Sequence, residues 1–266
     1  MTPRDHTRAA ERLNHAEQLG HQIGCFSQDF PLMTMADAYA IQNAWVNLKL
    51  TQGRKIKGRK IGLTSRAMQS QLNIDIPDSG ILFDDMFFDG GAIVPAGRFI
   101  EPRIEAEIAF IMAKDLKGPN VTPAQVLAAT ATVAPALEIL DTRIFRKDPV
   151  TGKTRTVFDT ISDNAANAGI VVGTQHSDPN KVDLKWVGAI TTRDGVVEET
   201  GLGAGVLGDP LLSMAWLANR LAEHNDYIRA GEVVLSGSFV RAIEAPSGSQ
   251  FHADFGPFGS VSISFT

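Results

Sequence analysis

A single cysteine, Cys25, in 266 residues excludes an internal disulfide and a thiolate metal cage, and its neighbours Gly24 and Phe26 suit a packed thiol better than a nucleophile. No apolar run approaches the ~18–20 residues that a membrane helix requires. The polar start, Met1 to Arg8, has none of the apolar stretch of a secretion signal, so a cytoplasmic address is expected. Lys and Arg (25) are outnumbered by Asp and Glu (30) and nowhere cluster, so the field needed to hold nucleic acid or an anionic membrane is missing. Repeats and low-complexity segments are absent too. The six histidines are scattered and offer neither metal-ligand spacing nor a Ser-His-Asp set. With 44% hydrophobic and 21% charged residues, what remains is a globular chain able to bury a large core and to serve small-molecule partners.

The first fifty residues read as helical. Ala9, Leu13, Ala16, Leu19 and Ile23 recur at steps of three and four. Thr34, three residues before Asp37, resembles a capping box and opens a second helix whose stripe is Ala38, Ile41, Trp45 and Leu48 before Gly53 stops it. From Lys60 the pattern changes to short β-rich runs: Lys60–Leu63, Gly80–Phe83, Ile104–Met112, Ala136–Leu140, Gly169–Val172 and Val187–Thr192. Asp194-Gly195 marks a hairpin into Val196–Glu199. Thr122-Pro123 and Asp209-Pro210 open two further helices. The tail, from Val233 and again from Gly256, alternates as antiparallel strands joined by a Gly/Ser turn. These signals predict an α+β protein with a helical lobe at 1–58 and a β-rich, barrel- or sandwich-like body at 59–266, the two counting as separate lobes or together as one domain.

Glu101-Pro102-Arg103-Ile104-Glu105-Ala106-Glu107-Ile108 is the most informative segment. On a strand, Glu105 and Glu107 share one face and Ile104, Ala106 and Ile108 the other. Two like charges in an apolar segment must be solvated, protonated or holding a cation. Glu138, within Ala134–Asp141, is a third acid flanked by apolar residues. An oxygen-only set of three carboxylates points to a hard divalent ion, Mg²⁺ or Mn²⁺; solvent-facing strand glutamates are the plain alternative. Lys60 at the start of a strand and Asp78 in Pro77-Asp78-Ser79-Gly80 read equally as a solvated cation and a turn residue, or as chemistry beside that ion.

Several motifs together, Gly58-Arg59-Lys60-Ile61-Gly62-Leu63-Thr64-Ser65, Pro77-Asp78-Ser79-Gly80, Asp84-Asp85-Met86-Phe87-Phe88, Arg103-Ile104-Glu105-Ala106-Glu107, Pro135-Ala136-Leu137-Glu138 and Asp159–Asn167, resemble the hydratase/decarboxylase branch of the fumarylacetoacetate hydrolase superfamily along essentially the whole chain. The resemblance implies a β-rich core with helical additions and a Mg²⁺ site at Glu105, Glu107 and Glu138. It implies active-site roles for Lys60, Asp78 and Ser162, and a homo-oligomer built from dimers. The implied reaction is addition of water to, or loss of CO₂ from, an unsaturated 2-oxo acid. Hydrolysis of a carbon–carbon bond fits less well, because no histidine base accompanies the carboxylate motifs. A metal-binding scaffold is the reading outside enzymes. A substrate with a second carboxylate would need a cation at its far end, and Arg143, five residues beyond Glu138, is the candidate. It faces the metal only if the strand bends after Asp141.

Overall fold

The computed structural model describes residues 1–66, 69–70, 74 and 76–266. Helix α1 (Pro3–Leu19) opens on a reciprocal cap: the Thr2 hydroxyl accepts from the Asp5 amide while the Asp5 carboxylate accepts from the Thr2 amide. Gly20, in the left-handed region at φ 64°, ends it. Ile23 therefore leaves the expected helical stripe, and its backbone bridges Ile144 instead. After the short α2 (Phe26–Asp29), α3 (Met35–Thr51) starts with the same device at Thr34 and Asp37. Asp37 also receives the N-terminal amine at 3.1 Å and His6 at 2.8 Å, which ties the start of α1 to α3.

Two sheets carry the rest. The larger has the order β2 (Asp78–Phe83), β1 (Ile56–Gly62), β10 (Val233–Leu235), β5 (Arg103–Met112), β6 (Thr130–Leu140), β7 (Asn167–Val172) and β3 (Phe87–Phe88), with β11 (Ile243–Glu244) against the start of β5. The smaller runs β4 (Ile93–Val94), β13 (Ser260–Phe265), β12 (Gln250–Asp254), β8 (Gly188–Arg193) and β9 (Val196–Leu202). Ile104, Ile108 and Phe110 from one face of β5 meet Phe251 and Ile263 of the smaller sheet, joined by Met214 and Leu217 of α6 (Pro210–Ala222). On the opposite face Ala109, Ala136 and Leu235 pack with Leu13, Ile41 and Trp45 of α1 and α3. Each large side chain buried in these layers contributes roughly 1.5–3 kcal/mol.

The α+β architecture is as the sequence indicates, and both Thr-Pro and Asp-Pro helix starts, α4 (Pro123–Ala129) and α6, form. So does the hairpin, with Asp194 and Gly195 at φ 54° and 79°. Residues 58 and 59 both lie in β1, and the helices share a core with the sheet. One expectation changes. The tail is not one antiparallel pair, because β10 inserts between β1, to which it runs parallel, and β5, while β13 pairs with β12 and β4 in the other sheet. The polar run that begins at Asp159 opens inside α5 (Val157–Ser162), which the Thr156 and Asp159 cap starts. No helix of the described residues is long and apolar enough to cross a membrane.

A methyl group at Gly58 would fall on the carbonyl of Val233, its partner on β10. Gly58→Ala is accordingly expected to cost about 1–3 kcal/mol in urea denaturation, by overpacking. At Gly90 nothing lies within 4 Å of the added carbon, and Gly90→Ala should leave the midpoint in place. Equal midpoints for the two variants would contradict the β1–β10 pairing.

Candidate active site

The helix-facing side of β5 carries Glu105 and Glu107, and antiparallel pairing with β6 sets Glu138 directly opposite Glu105. One carboxylate oxygen from each of the three lies within 4.8 Å of the others, the only such grouping of metal-binding side chains among the described residues. Lys60, from β1, places Nζ 3.3 Å from Glu138 Oε1. Asp78 stands opposite Gly62 in the β1–β2 ladder, so it belongs to a strand rather than to the expected turn. Gly62 is needed here: a methyl on it would strike both Asp78 Oδ1 and Lys60 Nζ.

Two further groups hold the acids in place. The Gly237 amide donates to Glu107 Oε2 at 2.8 Å from a turn with φ 114°, where a side chain would collide with Thr64. Asn167 Nδ2 donates to Glu138 Oε1 at 2.7 Å. Asn167 reaches that position through three consecutive left-handed residues, Asn164, Ala165 and Ala166 at φ 53°, 52° and 58°. Each costs roughly 1–2 kcal/mol for a residue with a β-carbon. The Asn164 side-chain amide offsets part of this by bonding both the N–H and the C=O of Ile81, at 2.8 and 2.9 Å.

Burial raises Glu105 to about 8 and Glu107 well above the usual carboxylate range, and in both the neighbouring Glu138 adds to the effect while Lys60 opposes it. Asp78 is pushed up to about 6 by burial, against the pull of Lys60. Burial disfavours the Lys60 charge, yet Glu138, Asp78, Glu105 and Glu107 outweigh it and hold the ammonium charged. Glu107 Oε1, Glu138 Oε2, Asp78 Oδ1 and Asn167 Oδ1 are buried without a hydrogen-bond donor. Four unsatisfied acceptors on side chains grouped around Lys60 and Glu138 call for a cation. The oxygen-only donor set fits a hard divalent ion such as Mg²⁺ or Mn²⁺.

Of the residues singled out in the sequence, Glu105, Glu107, Glu138, Lys60 and Asp78 come together. Ser162 is buried, and its hydroxyl donates to the Phe158 carbonyl at 2.8 Å within α5, leaving only its lone pairs for a ligand. Arg143 does not join them. Its guanidinium is buried against Asp163, donates to the Asp163 and Asn167 carbonyls, and lies over the Trp45 ring, so the expected role at a distal carboxylate gives way to an internal ion pair. Sequence reading missed Asn167, Gly62 and Gly237. The density of small polar residues from Asp159 to Asn167 was the one signal pointing to the first of these.

No protein-family model matches the chain. Its fold and its glutamate–lysine site nevertheless define a class, and the chain belongs to the family of 2-oxo-hept-4-ene-1,7-dioate hydratases, 2-keto-4-pentenoate hydratases and 4-oxalocrotonate decarboxylases. It is 51% identical over 260 residues to 2-oxo-hept-4-ene-1,7-dioate hydratase of Escherichia coli, covering 98% of this chain and 97% of that relative. The structure of 4-oxalocrotonate decarboxylase from Pseudomonas putida G7, complexed with magnesium and adipate, superposes with a TM-score of 0.94 at 34% identity over 100% of this chain and 99% of its own. Fumarylpyruvate hydrolase from Pseudomonas aeruginosa, in complex with Mn²⁺ and pyruvate, shares the fold at a TM-score of 0.61 and 12% identity, over 80% of this chain and 89% of its own. The chain is an enzyme, a hydro-lyase.

The raised carboxyls fix a pH dependence. Asp78 and Glu105 bind protons more tightly folded than unfolded, so their contribution to metal-free stability is full below their ordinary values and is lost as pH rises through about 6 and about 8. A cation replaces those protons. Melting curves with Mg²⁺ and with a chelator should therefore diverge more at pH 8.5 than at pH 6. An increment that does not grow with pH would contradict proton displacement at these glutamates.

Proposed function

We propose that this enzyme is a magnesium-dependent hydratase, with manganese able to substitute. It adds water to 2-oxohept-3-ene-1,7-dioate, presented as its 2-hydroxydienoate tautomer, to give 4-hydroxy-2-oxoheptanedioate in homoprotocatechuate breakdown. The observation that carries the reading is the 51% end-to-end identity to a hydratase named for a seven-carbon enedioate. The juxtaposition of Glu105, Glu107 and Glu138 with a buried lysine supports it.

Glu105, Glu107 and Glu138 would hold the ion. When bound, a divalent ion supplies a Lewis acid for the carboxylate and 2-oxygen of a 2-oxo acid. Three carboxylates leave such a site one negative charge in excess. Lys60, kept charged by its neighbours, offsets it and stabilises the further negative charge that gathers on the 2-oxygen as the diene ketonises. Asp78, at about 6, exchanges protons near neutral pH and is placed beside Lys60 to move one between the carbon chain and the incoming water. With electrons withdrawn toward the 2-oxygen, C4 of the 3-enoate becomes the electrophilic carbon. Asn167 keeps Glu138 oriented while charge moves.

Glu107→Gln keeps the shape and removes a charge, and is expected to lower turnover by roughly 10²–10³-fold with little change in melting temperature. Ultraviolet assay with product identified by mass tests the reaction itself, and the expected product is heavier than the substrate by one water. Release of CO₂ would instead establish decarboxylation. Full turnover after exhaustive chelation would sink the metal requirement.

A further inference from the structure

Strand β2 ends the larger sheet: β1 pairs with one of its edges, and no strand among the described residues pairs with the other. Two side-chain amides cover that open edge. Gln42, buried on α3, donates through Nε2 to the Ser79 carbonyl at 2.9 Å and to the Ile161 carbonyl of α5 at 3.0 Å. Asn164 bonds both the N–H and the C=O of Ile81, as a neighbouring strand would. Gly80, between the two, lets the Asn164 backbone come close, because a methyl on it would fall 2.5 Å from the Asn164 carbonyl oxygen. A cavity of about 460 Å³ borders the same edge at Tyr39, Gln42, Ser79, Gly80 and Ile81, so packed side chains do not fill the space beside it.

What this edge carries is Asp78, the first residue of β2. Its Oδ1 is buried without a donor, so the strand backbone sets where that oxygen lies. The position that a methyl on Gly62 would take is 2.2 Å from this oxygen and 2.9 Å from Lys60 Nζ. Lys60 stands opposite Gly80 on β1 and reaches Glu138 at 3.3 Å. Glu138 accepts from Asn167, which Asn164 precedes by three residues, and Asn164 returns to β2. The contacts thus close a ring through β1, β6 and β2, and Gln42 braces that ring one residue from Asp78.

We propose that Gln42 and Asn164 are positioning residues for Asp78: their amides replace the missing strand on the outer edge of β2 and hold the Asp78 carboxylate against Lys60. Helix α3 thereby takes part in turnover through a side chain that does not touch the acid cluster. The proposal deepens the reading of Asp78 as the group that moves a proton and rests on it. A proton donor displaced by about 1 Å can cost 10²-fold in rate, whereas the ion ligands on β5 and β6 are not carried by β2.

Gln42→Met keeps the length of the side chain and removes its amide. Turnover of the seven-carbon dienoate, expressed per folded protein from melting curves, should show kcat at least about tenfold lower with KM and Mn²⁺ affinity within about twofold of wild type. Gly80→Ala, which keeps Gln42 but pushes Asn164 away, should do the same. Ile41→Val, beside Gln42 in the core, should lower the melting temperature and leave kcat alone. In an Asp78→Asn background, already slow, Gln42→Met should cost less than about twofold more, because residues that act through one group are not additive. Losses that multiply in the double variant, or an unchanged kcat in Gln42→Met, overturn the positioning while Asp78→Asn alone still reports on Asp78. Wild-type kcat in Asp78→Asn overturns the proton-moving role and this proposal with it. Loss of the folded state in both Gln42→Met and Gly80→Ala also overturns it, since the amides would then hold the fold and not Asp78.

Discussion

Three ionised carboxylates whose oxygens lie within 4.8 Å of one another repel by at least about 3.5 kcal/mol per pair at an effective dielectric near 20. Burial in a sheet adds desolvation to that cost. The surrounding structure is arranged around this conflict. Lys60 supplies one positive charge, and Asn167 and the Gly237 amide supply one donor each. Together they leave an oxygen of Glu107 and one of Glu138 unsatisfied. A divalent cation resolves the remainder; protons on Glu105 and Glu107 are the substitute when it is absent.

The same requirement explains several backbone features. Gly62 lacks a side chain because Asp78 and Lys60 occupy that space, and Gly237 takes up a left-handed conformation to aim its N–H at Glu107. The run Asn164–Ala166 is strained in the way functional sites often are, and it delivers Asn167 to Glu138 at the start of β7. Small residues at Ala109 and Ala136, on the same face as the glutamates, let the N-terminal helices close over the sheet next to the site.

Local rules made much of this legible. The apolar stripe of Ala9, Leu13 and Ala16 located helix α1, the Thr34–Asp37 cap located α3, the Thr-Pro and Asp-Pro starts located α4 and α6, and strand alternation placed Glu105 and Glu107 on one face. What resisted reading was non-local. Pro77-Asp78-Ser79-Gly80 has turn chemistry, and only pairing with β1 makes Asp78 a strand residue beside Lys60. Insertion of β10 between β1 and β5 leaves no mark in the tail's own pattern. Asn167 depends on a conformation that its preceding alanines disfavour. Arg143 looked available because its partner, Asp163, lies twenty residues away. The family resemblance, by contrast, was carried by short motifs, and the similarity to its relatives along the whole chain agrees with it.

The central claim is that Glu105, Glu107 and Glu138 are close because they share one divalent cation. Anomalous diffraction from crystals grown with Mn²⁺ tests it most directly. The account predicts a single strong peak within coordination distance of one oxygen from each of the three glutamates. A manganese peak elsewhere with none at this cluster, or the three carboxylates turned away from one another, would contradict it.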